Sequence, residues 1–459
     1  MRDDLALSMG QKLEGSVTGL SHDGRGVVPL GTTVAFVTGA LPGERVRLRL
    51  VHRSRRHWHG ELEEVLTAAP DRCRPPCILA ESCGGCSLQH WQVGAQRPWK
   101  RLKVVEALQR IGHFSDVDQR VAMTLGQGDG VGYRNRAILP LERREDGRLR
   151  AGYYRSGSHT IVNLNHCPVL DPRLDALIAP LKLDLEASAW PVDRHLSEGG
   201  GLRHLALRLG HHSGEVLLTL VSSRIDLEGL EERAQLWMER WPQLVGVCVN
   251  LQDRPTNALM GPRTVVVAGR GWLRERFAGL DLEIAPDTFF QVNTPMAEQL
   301  VPIIQRVLAD QPQGLLIDAY CGIGTFGLPM AAAGWQLEGI DVGPASIALA
   351  RRNAEHNGLG ASCRFHEGSV GELLADRLSD CDALLLDPPR KGLEAQVLAS
   401  ILAEPPPRLL YLSCDPATLA RDLAQLAGDG APYRLARVQP LDFFPHTSHV
   451  ESLAVLERV

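Results

Sequence analysis

The sequence predicts a multidomain α/β protein with a small, OB-like N-terminal β-barrel, a central α/β domain and a C-terminal doubly wound, Rossmann-like domain. From roughly residue 10 to residue 66 the chain shows short strands broken by glycines, a pattern typical of small barrels that bind oligonucleotides. In the last third, apolar runs of strand length alternate with helical stretches, as in a parallel doubly wound sheet. A chain of 459 residues with 44% hydrophobic content is long enough for several such domains.

The N-terminal segment, residues 1–69, contains a strand with alternating arginines. Arg45, Arg47 and Arg49 occupy every second position, so they share one face of that strand. A local excess of positive charge is typical of a surface that binds phosphates, although the net charge of the chain is -5. A solvated strand face explains the pattern equally well, and both interpretations stay open.

Residues 70–285 form the predicted central domain, which begins with a cysteine-rich loop from Cys73 to Cys86. Ten cysteines in a chain whose start lacks the layout of a signal peptide indicate metal binding or catalysis rather than disulfides. The rest of this region mixes helical and strand-like patterns and predicts no particular topology. We expect a soluble, cytoplasmic monomer without a membrane span, because no apolar run of about 18 residues occurs.

The C-terminal domain, residues 286–459, carries polar residues directly after its strands, where a doubly wound sheet binds its ligand. The run Asp318-Ala-Tyr-Cys-Gly-Ile-Gly permits close backbone approach to a ligand. Asp341 follows the second strand and either accepts two ribose hydroxyls or caps a helix. Asp387 precedes two prolines that fix the backbone. No third phosphate-binding glycine or Walker lysine follows, which favours a nucleoside such as S-adenosylmethionine over a dinucleotide or a nucleoside triphosphate.

Cys414 follows the fifth strand in the run Ser413-Cys-Asp-Pro. Asp415 is a good N-cap and Pro416 suits the first helical position, so the cysteine is expected at the positive end of a helix. That setting lowers the pKa of a thiol. A buried, inert cysteine is the alternative, and the position at the crevice favours the reactive one.

Five motifs together resemble the RNA 5-methyluridine methyltransferase family, and the resemblance extends over most of the chain. The motifs are Phe289-Phe-Gln-Val-Asn, Asp318-Ala-Tyr-Cys-Gly-Ile-Gly, Asp387-Pro-Pro-Arg, Ser413-Cys-Asp-Pro-Ala-Thr-Leu-Ala-Arg-Asp and His446-Thr-Ser-His-Val-Glu. The last two of these are the most specific. The N-terminal barrel resembles a TRAM domain. The cysteine loop resembles that of the branch acting on 23S ribosomal RNA, whose tRNA-modifying relatives are expected to lack both features.

The resemblance implies an S-adenosylmethionine-dependent enzyme that methylates carbon 5 of a uridine in 23S rRNA. It implies Cys414 as the nucleophile and Glu451 as the general base. It also implies a cofactor site with these four residues: Gln291, Tyr320, Asp341 and Asp387. Asp341 departs from the family, which usually has Glu there. Glu451 opens the last apolar run, and it reaches the crevice only if that strand is antiparallel to the others, as in methyltransferase folds of this type.

The resemblance further implies a [4Fe-4S] cluster held by four cysteines, namely Cys77, Cys83, Cys86 and Cys167. Thiolates are the usual ligands of such clusters. Cys73 is then a spare. The alternative is a zinc ion bound by Cys73 together with the three loop cysteines that follow it, since four thiolates within fourteen residues suit zinc.

A uracil stacked in RNA does not present both ring faces, so we expect a flipped or unpaired target. One aromatic ring among Phe289, Phe290, Phe443 and Phe444 is predicted to lie near it. Other interpretations remain: a second rRNA uridine, a tRNA substrate, a 5-methylcytosine enzyme with the same addition chemistry, or a catalytically silent RNA-binding scaffold.

Overall fold

The computed structural model describes residues 7–196, 199–256 and 258–459. Its N-terminal part is one sheet in the order β1-β5-β6-β4-β3-β2, antiparallel except where β4 pairs with β6. The strands are β1 (Lys12–Ser16), β2 (Gly19–Leu20), β3 (Gly26–Leu30), β4 (Thr33–Val37), β5 (Arg45–Arg53) and β6 (Trp58–Thr67). In β5, Val46, Leu48 and Leu50 are buried, and the arginines alternate with them as predicted.

The arginines of β5 are neutralised by glutamates from the two neighbouring strands. Arg45 and Arg47 both bond to Glu14 of β1 at 2.9 Å. Arg47 also pairs with Glu64 of β6, and Arg49 pairs with Glu61 and Glu63 of the same strand. These glutamates lie outside the sequence window that contains the arginines, so the sequence pattern did not indicate the pairing.

The central part combines a long helix with a second sheet. Its elements are α1 (Val93–Arg110), β7 (Arg136–Arg143), β8 (Leu149–Ala151), α2 (Pro172–Ala187), β9 (Leu202–Leu209), β10 (Val216–Ser222), α3 (Leu230–Arg240), β11 (Leu244–Leu251), β12 (Arg263–Gly269), β13 (Leu273–Phe277) and β14 (Leu280–Ile284). The sheet runs β12-β11-β10-β9-β7-β8, with β10 and β11 parallel and the other pairs antiparallel. Apolar residues of α2 and α3, such as Leu177 and Trp237, bury one face of it.

The C-terminal part is the doubly wound, Rossmann-like sheet that the sequence predicts. Its elements are α4 (Thr294–Leu308), β15 (Leu315–Ala319), α5 (Gly327–Ala332), β16 (Gln336–Asp341), α6 (Pro344–His356), β17 (Cys363–Glu367), α7 (Val370–Leu373), β18 (Cys381–Leu386), α8 (Ala395–Ala403), β19 (Arg408–Ser413), α9 (Pro416–Ala427), β20 (Tyr433–Leu441) and β21 (Glu451–Arg458). The order is β17-β16-β15-β18-β19-β21-β20. The strands from β15 to β19 are parallel, whereas β21 lies antiparallel between β19 and β20.

Helix α1 packs on this C-terminal sheet although it lies in the central part of the chain. Its residues Val104, Val105 and Leu108 share a buried cluster with Leu419 and Leu423 of α9. The segment after α1 continues this contact, since Val121 forms a β-bridge with a residue of β20. The division into residues 1–69, 70–285 and 286–459 stays a prediction. None of the helices in the described ranges is both long and apolar enough to cross a membrane.

Candidate active site and cysteine cavity

The carboxyl ends of the parallel strands bring the predicted cofactor residues to one edge of the C-terminal sheet. Ala319 of β15 pairs with Ile340 of β16 and with Leu386 of β18. Tyr320 and Asp387 therefore follow β15 and β18 at the level at which Asp341 ends β16. The main chain continues the pairing, because the amide of Tyr320 donates to the carbonyl of Ile340 at 2.9 Å.

Asp341 is fixed by two backbone amides. Its Oδ2 accepts from the amide of Gly322 at 3.0 Å, and its Oδ1 accepts from the amide of Gly343 at 2.7 Å. Gly343 precedes α6, so the carboxylate joins the glycine turn to the start of that helix. Each carboxylate oxygen keeps a lone pair, and holding the turn is therefore compatible with accepting a ligand hydroxyl.

Tyr320 has a left-handed backbone with φ of 69°, which is uncommon for a residue other than glycine. Burial and the neighbouring Glu394 raise the pKa of its phenol to about 12. Within the described ranges its buried hydroxyl finds no hydrogen-bond partner. Strained backbone and an unpaired buried polar atom in a crevice are both typical of a ligand site.

Gln291 lies in the loop before α4 and is buried. Its carbonyl accepts from Asn135 Nδ2 at 2.9 Å. Asn293, the N-cap of α4, donates from Nδ2 to the carbonyl of Phe443 at 3.1 Å. The loop is thus attached to the central sheet on one side and to the β20–β21 connection on the other.

Cys414 and Glu451 meet at the edge of the sheet because β19 and β21 are antiparallel. Ser413 at the end of β19 pairs with Ser452 near the start of β21, which places the following and preceding residues side by side. Asp415 caps α9 by accepting from the amide of Thr418 at 2.8 Å. The predicted antiparallel strand and the predicted N-cap are therefore present.

Burial sets the charge of both groups. It raises the pKa of the Cys414 thiol to about 11, assisted by the charge of Glu451 and opposed by Arg390. Burial also raises the pKa of Glu451 to about 8, assisted by Asp387 and again opposed by Arg390. The expected lowering of the thiol pKa at the helix N-terminus is wrong, because loss of water and a neighbouring carboxylate outweigh it.

Two residues at this crevice were not singled out by sequence reasoning. Asp318 is 2% exposed, and burial together with Asp387 and Asp341 raises its pKa well above the ordinary value. A Cβ atom at Gly327 would lie 2.6 Å from its Oδ2, so the helix α5 approaches it closely. Arg390 is the second, and it provides positive charge beside Cys414 and Glu451. Asp318 and Arg390 both lie within the motifs named above, so their charge was the sequence feature that could have identified them.

The four candidate aromatic residues separate into two pairs. Phe290 and Phe443 are buried in the hydrophobic core, at 3% and 0% exposure, and packing accounts for them. Phe289 is 57% exposed. Phe444 is half-buried, and its ring centroid lies 6.0 Å from that of His449. Of the four, Phe289 and Phe444 are therefore the ones available to contact a flipped base.

Four cysteines of the predicted cluster, Cys77, Cys83, Cys86 and Cys167, line one cavity of about 180 Å³. Cys73 is not among the lining residues, and its thiol faces the carbonyl of Gln89 at 3.6 Å. The arrangement thus favours the ligand set with the distant Cys167 over the set with Cys73.

The two loops that carry the cysteines are each anchored by a backbone amide. The amide of Gly84 donates to the carbonyl of Tyr154 at 2.8 Å. The amide of Cys167 donates to Asp175 of α2 at 2.7 Å. Burial raises the pKa of Cys86 to about 11 and that of Cys167 to about 12, and the neighbouring thiols add to both. Across the described ranges, no three His, Cys, Asp or Glu side chains are arranged to hold a metal ion as they stand.

Comparison with known proteins decides the family. A protein of Parasynechococcus marenigrum described as an uncharacterized RNA methyltransferase is 50% identical over 98% of this chain and 96% of its own length. A Nostoc protein with the same description is 45% identical over 97% of this chain and 96% of its own. A family model described as tRNA (uracil-5-)-methyltransferase matches residues 280–459. This chain belongs to the RNA 5-methyluridine methyltransferase family.

A solved structure extends the similarity over the whole fold. The Pyrococcus abyssi tRNA (uracil-54, C5)-methyltransferase in complex with S-adenosyl-L-homocysteine is 27% identical, with a TM-score of 0.75. The match covers 96% of this chain and 99% of that chain. Because less than a twentieth of this chain lies outside the match, an enzyme acting on tRNA aligns with most of the N-terminal sheet. The expectation that tRNA-modifying relatives lack this region is therefore wrong.

Proposed function

We propose that this RNA methyltransferase transfers a methyl group from S-adenosylmethionine to carbon 5 of a uridine in 23S rRNA through a covalent cysteine adduct at carbon 6. The observation that supports this best is the meeting of Cys414 and Glu451 at the sheet edge, beside Asp387 and the glycine turn. A nucleophile and a base on adjacent strands, next to a nucleoside crevice, are what this reaction requires.

The chemistry divides between the two residues. The Cys414 thiolate adds to carbon 6 of the uracil, which makes carbon 5 an enolate carbon that attacks the methyl group. S-adenosylmethionine would supply that methyl group when bound, and S-adenosylhomocysteine would leave as the bond between the methyl carbon and the sulfonium sulfur breaks. The Glu451 carboxylate then removes the proton from carbon 5, the carbon–sulfur bond to carbon 6 breaks, and the thiolate is released. Arg390 favours the charged form of both groups, which is the form that each step needs.

The cofactor lies, in this proposal, among Gln291, Tyr320, Asp341 and Asp387. The unpaired hydroxyl of Tyr320 and the remaining lone pairs of Asp341 support a ligand that carries hydroxyl groups. Burial raises the pKa of Asp387 to about 7, so near neutral pH its carboxyl group can donate or accept a hydrogen bond.

We further propose that Cys77, Cys83, Cys86 and Cys167 hold a [4Fe-4S] cluster. The convergence of four thiols on one cavity supports this, as does the exclusion of Cys73 from it. Bound iron would offset the cost of ionising buried thiols, since metal-bound thiols lose their protons. The transfer of a methyl group needs no electron, so the proposed role is structural.

The N-terminal sheet is proposed to be a TRAM-like, RNA-binding barrel. Strands β1 and β3 stand near opposite edges of the sheet order, yet a Cβ atom at Gly15 would lie 2.4 Å from Cγ1 of Val28. This close approach supports a sheet that curls upon itself.

A tRNA substrate is the second candidate. It is favoured by the match to the Pyrococcus abyssi enzyme over 96% of this chain. The assignment to 23S rRNA rests instead on the resemblance of the cysteine loop.

Labelled S-adenosylmethionine tests the proposal when it is offered with unmodified 23S rRNA and, separately, with unmodified tRNA, followed by mapping of the modified base. Label in 5-methyluridine of 23S rRNA alone is the expected result. Label in tRNA alone would support the proposed reaction and show that tRNA, not 23S rRNA, is the substrate. Label in neither RNA would overturn the proposal.

A further inference from the structure

The segment that leads to Glu451 is attached to helix α1 along much of its length. We define the connecting segment as residues 442–450, between the end of β20 and the start of β21. Helix α1 presents Gln96, Lys100 and Lys103 to it. These positions are spaced four and three residues apart, so they lie on one face of the helix. One side of a single helix thus contacts the connecting segment from Asp442 to Ser448.

The two lysines bind main-chain and side-chain oxygens of the connecting segment. Lys100 is fully buried, and its Nζ donates to Asp442 Oδ1 at 2.5 Å and to the carbonyl of Phe444 at 2.9 Å. Lys103 Nζ donates to the carbonyl of Ser448. Hydrogen bonds from charged donors are stronger than neutral ones, so both ends of the segment are firmly held.

His446 is bound at the middle of the segment in a strained conformation. Its φ of 64° is left-handed, which costs free energy in a residue other than glycine. Gln96 Oε1 accepts from its amide at 2.9 Å. Its carbonyl accepts from the amides of Ser87 and Leu88 at 3.0 and 2.9 Å. These bonds to the amide and to the carbonyl of His446 maintain a conformation that the isolated segment would not favour.

The connecting segment also reaches the cysteine cavity. Ser87 directly follows Cys86, and Thr447 lines the cavity together with the four cysteines. Thr447 precedes Glu451 by four positions, and Val450 between them is fully buried. The path along the chain from the cavity to the proposed base is therefore short, and it includes the exposed His449 as well as the buried Val450.

We propose that helix α1 and the cysteine cavity together clamp the connecting segment, and that Lys103 and the group bound by the cysteines thereby position Glu451 for proton removal. Lys103 is a positioning residue here, since it acts through Ser448 and not on the substrate. This inference rests on the proposed function for the identity of the step. It gives the cysteine-bound group a definite role, which is to hold the carboxylate and not to take part in the reaction.

The proposed step predicts a specific defect. When Glu451 is displaced, the thiolate still adds to carbon 6 and the methyl group still reaches carbon 5, but the carbon-5 proton stays and the carbon–sulfur bond does not break. A methylated RNA joined covalently to Cys414 then accumulates. A general loss of folding or of cofactor binding produces less of this adduct, not more.

The first test compares Lys103→Met with Arg110→Met, a control at the exposed end of the same helix. We expect Lys103→Met to lower kcat about tenfold, as for the loss of one charged hydrogen bond. We also expect the adduct on denaturing gels to rise and KM for S-adenosylmethionine to stay within about twofold. Lys103→Arg, which keeps a donor, should restore turnover. Wild-type kcat in Lys103→Met, or equal losses of adduct and turnover, would overturn the role of Lys103.

The second test measures amide hydrogen exchange of residues 446–450 in the protein as purified and in Cys83→Ser, with iron content determined for both. Loss of iron with faster exchange in this stretch supports the clamp. Loss of iron with unchanged exchange overturns the contribution of the cavity. If wild-type protein forms neither methylated RNA nor adduct with any RNA, the proposed function fails, whereas the exchange measurement still decides whether the clamp exists.

Discussion

The crevice of the C-terminal sheet and the cysteine cavity both collect buried titratable groups, but the chain assembles them in different ways. In the crevice, Asp341, Asp387 and Cys414 each stand at or just beyond the end of a strand, and the parallel sheet aligns them. In the cavity, three cysteines come from one loop, and Cys167 reaches it from a second loop bound by α2. Strand order creates the first site, whereas the second depends on contacts between irregular segments.

The largest expected effect tests whether the crevice is catalytic. Cys414→Ala removes the group that adds to carbon 6 in the proposed mechanism, so turnover should fall by more than about 10³-fold. RNA and S-adenosylmethionine affinities should stay near those of the wild type, as measured by filter binding and calorimetry. Cys363→Ala, at the half-buried start of β17, is the matched control. Turnover that survives in Cys414→Ala would show that Cys414 is not the nucleophile.

The second prediction concerns the charge of Glu451. Glu451→Gln should lower turnover by about 10²–10⁴-fold, with accumulation of the covalent adduct. In the wild type, the rate at which a preformed adduct releases its methylated RNA should rise with pH towards about 8, because the base acts as a carboxylate and its pKa is raised to about 8. A flat profile between about pH 6 and pH 9 would remove Glu451 from the role of base.

The same raised pKa predicts how stability depends on pH. The folded protein retains a proton on Glu451 that the unfolded chain releases above its ordinary pKa of 4.5. The free energy of unfolding should therefore decrease as the pH rises from about 5 to 8, by a few kcal/mol as an order of magnitude for this group. Glu451→Gln should lack this part of the decrease, as measured by urea unfolding at several pH values. Parallel curves for the two proteins would contradict it.

The fourth prediction tests the cavity. An iron–sulfur cluster should colour the anaerobically purified protein brown, with near four iron atoms per chain. Cys167→Ala should remove this colour and bring the iron content to near zero. Cys73→Ala should retain both, because its thiol lies outside the cavity. Stoichiometric zinc that is lost in Cys73→Ala would instead indicate a zinc ion bound by the alternative ligand set.

The smallest expected effect concerns the N-terminal sheet. Arg47→Ala should change RNA affinity by less than about twofold, because Glu14 and Glu64 already neutralise this arginine. Replacing Arg55 and Arg56, which are exposed in the β5–β6 turn and have no ion pair among the described residues, should weaken binding. It should also make the salt dependence shallower, by a slope of about 0.7–0.9 for each phosphate that the protein no longer neutralises. A larger effect at Arg47 would restore the arginine face as the RNA-binding surface.

Sequence reasoning succeeded where one periodicity determines the geometry. The strands of the doubly wound sheet, the cap at Asp415 and the antiparallel last strand that brings Glu451 to Cys414 follow from local pattern and family topology. The order of the central sheet could not be predicted, since its mixed pairing depends on contacts far apart in the chain. The ion pairs of Arg45 and Arg47 were missed for the same reason, because Glu14 lies more than thirty residues away.

The protonation states of the site residues also could not be predicted from the sequence. A helix N-terminus suggested an acidic thiol at Cys414, yet burial beside a carboxylate reversed the direction of the pKa shift. Burial likewise separated Phe290 and Phe443 from the exposed Phe289. Sequence motifs identified these cysteine and phenylalanine residues as candidates. Their pKa and their exposure depend on tertiary packing, which the sequence pattern does not contain.

The position of β21 between β19 and β20 also bears on how the molecule folds. Strand β20 joins the sheet only through β21 among the described strands, and Lys100 reaches Asp442 across 342 residues of chain. Contacts so remote in sequence are slow to form, since long loops must close first. We therefore expect the contact between α1 and the connecting segment, which leads to Glu451, to form after the sheet itself. A late folding intermediate would then bind the methyl donor while lacking the means to release a methylated product, so the appearance of turnover, rather than of cofactor binding, reports the completion of folding.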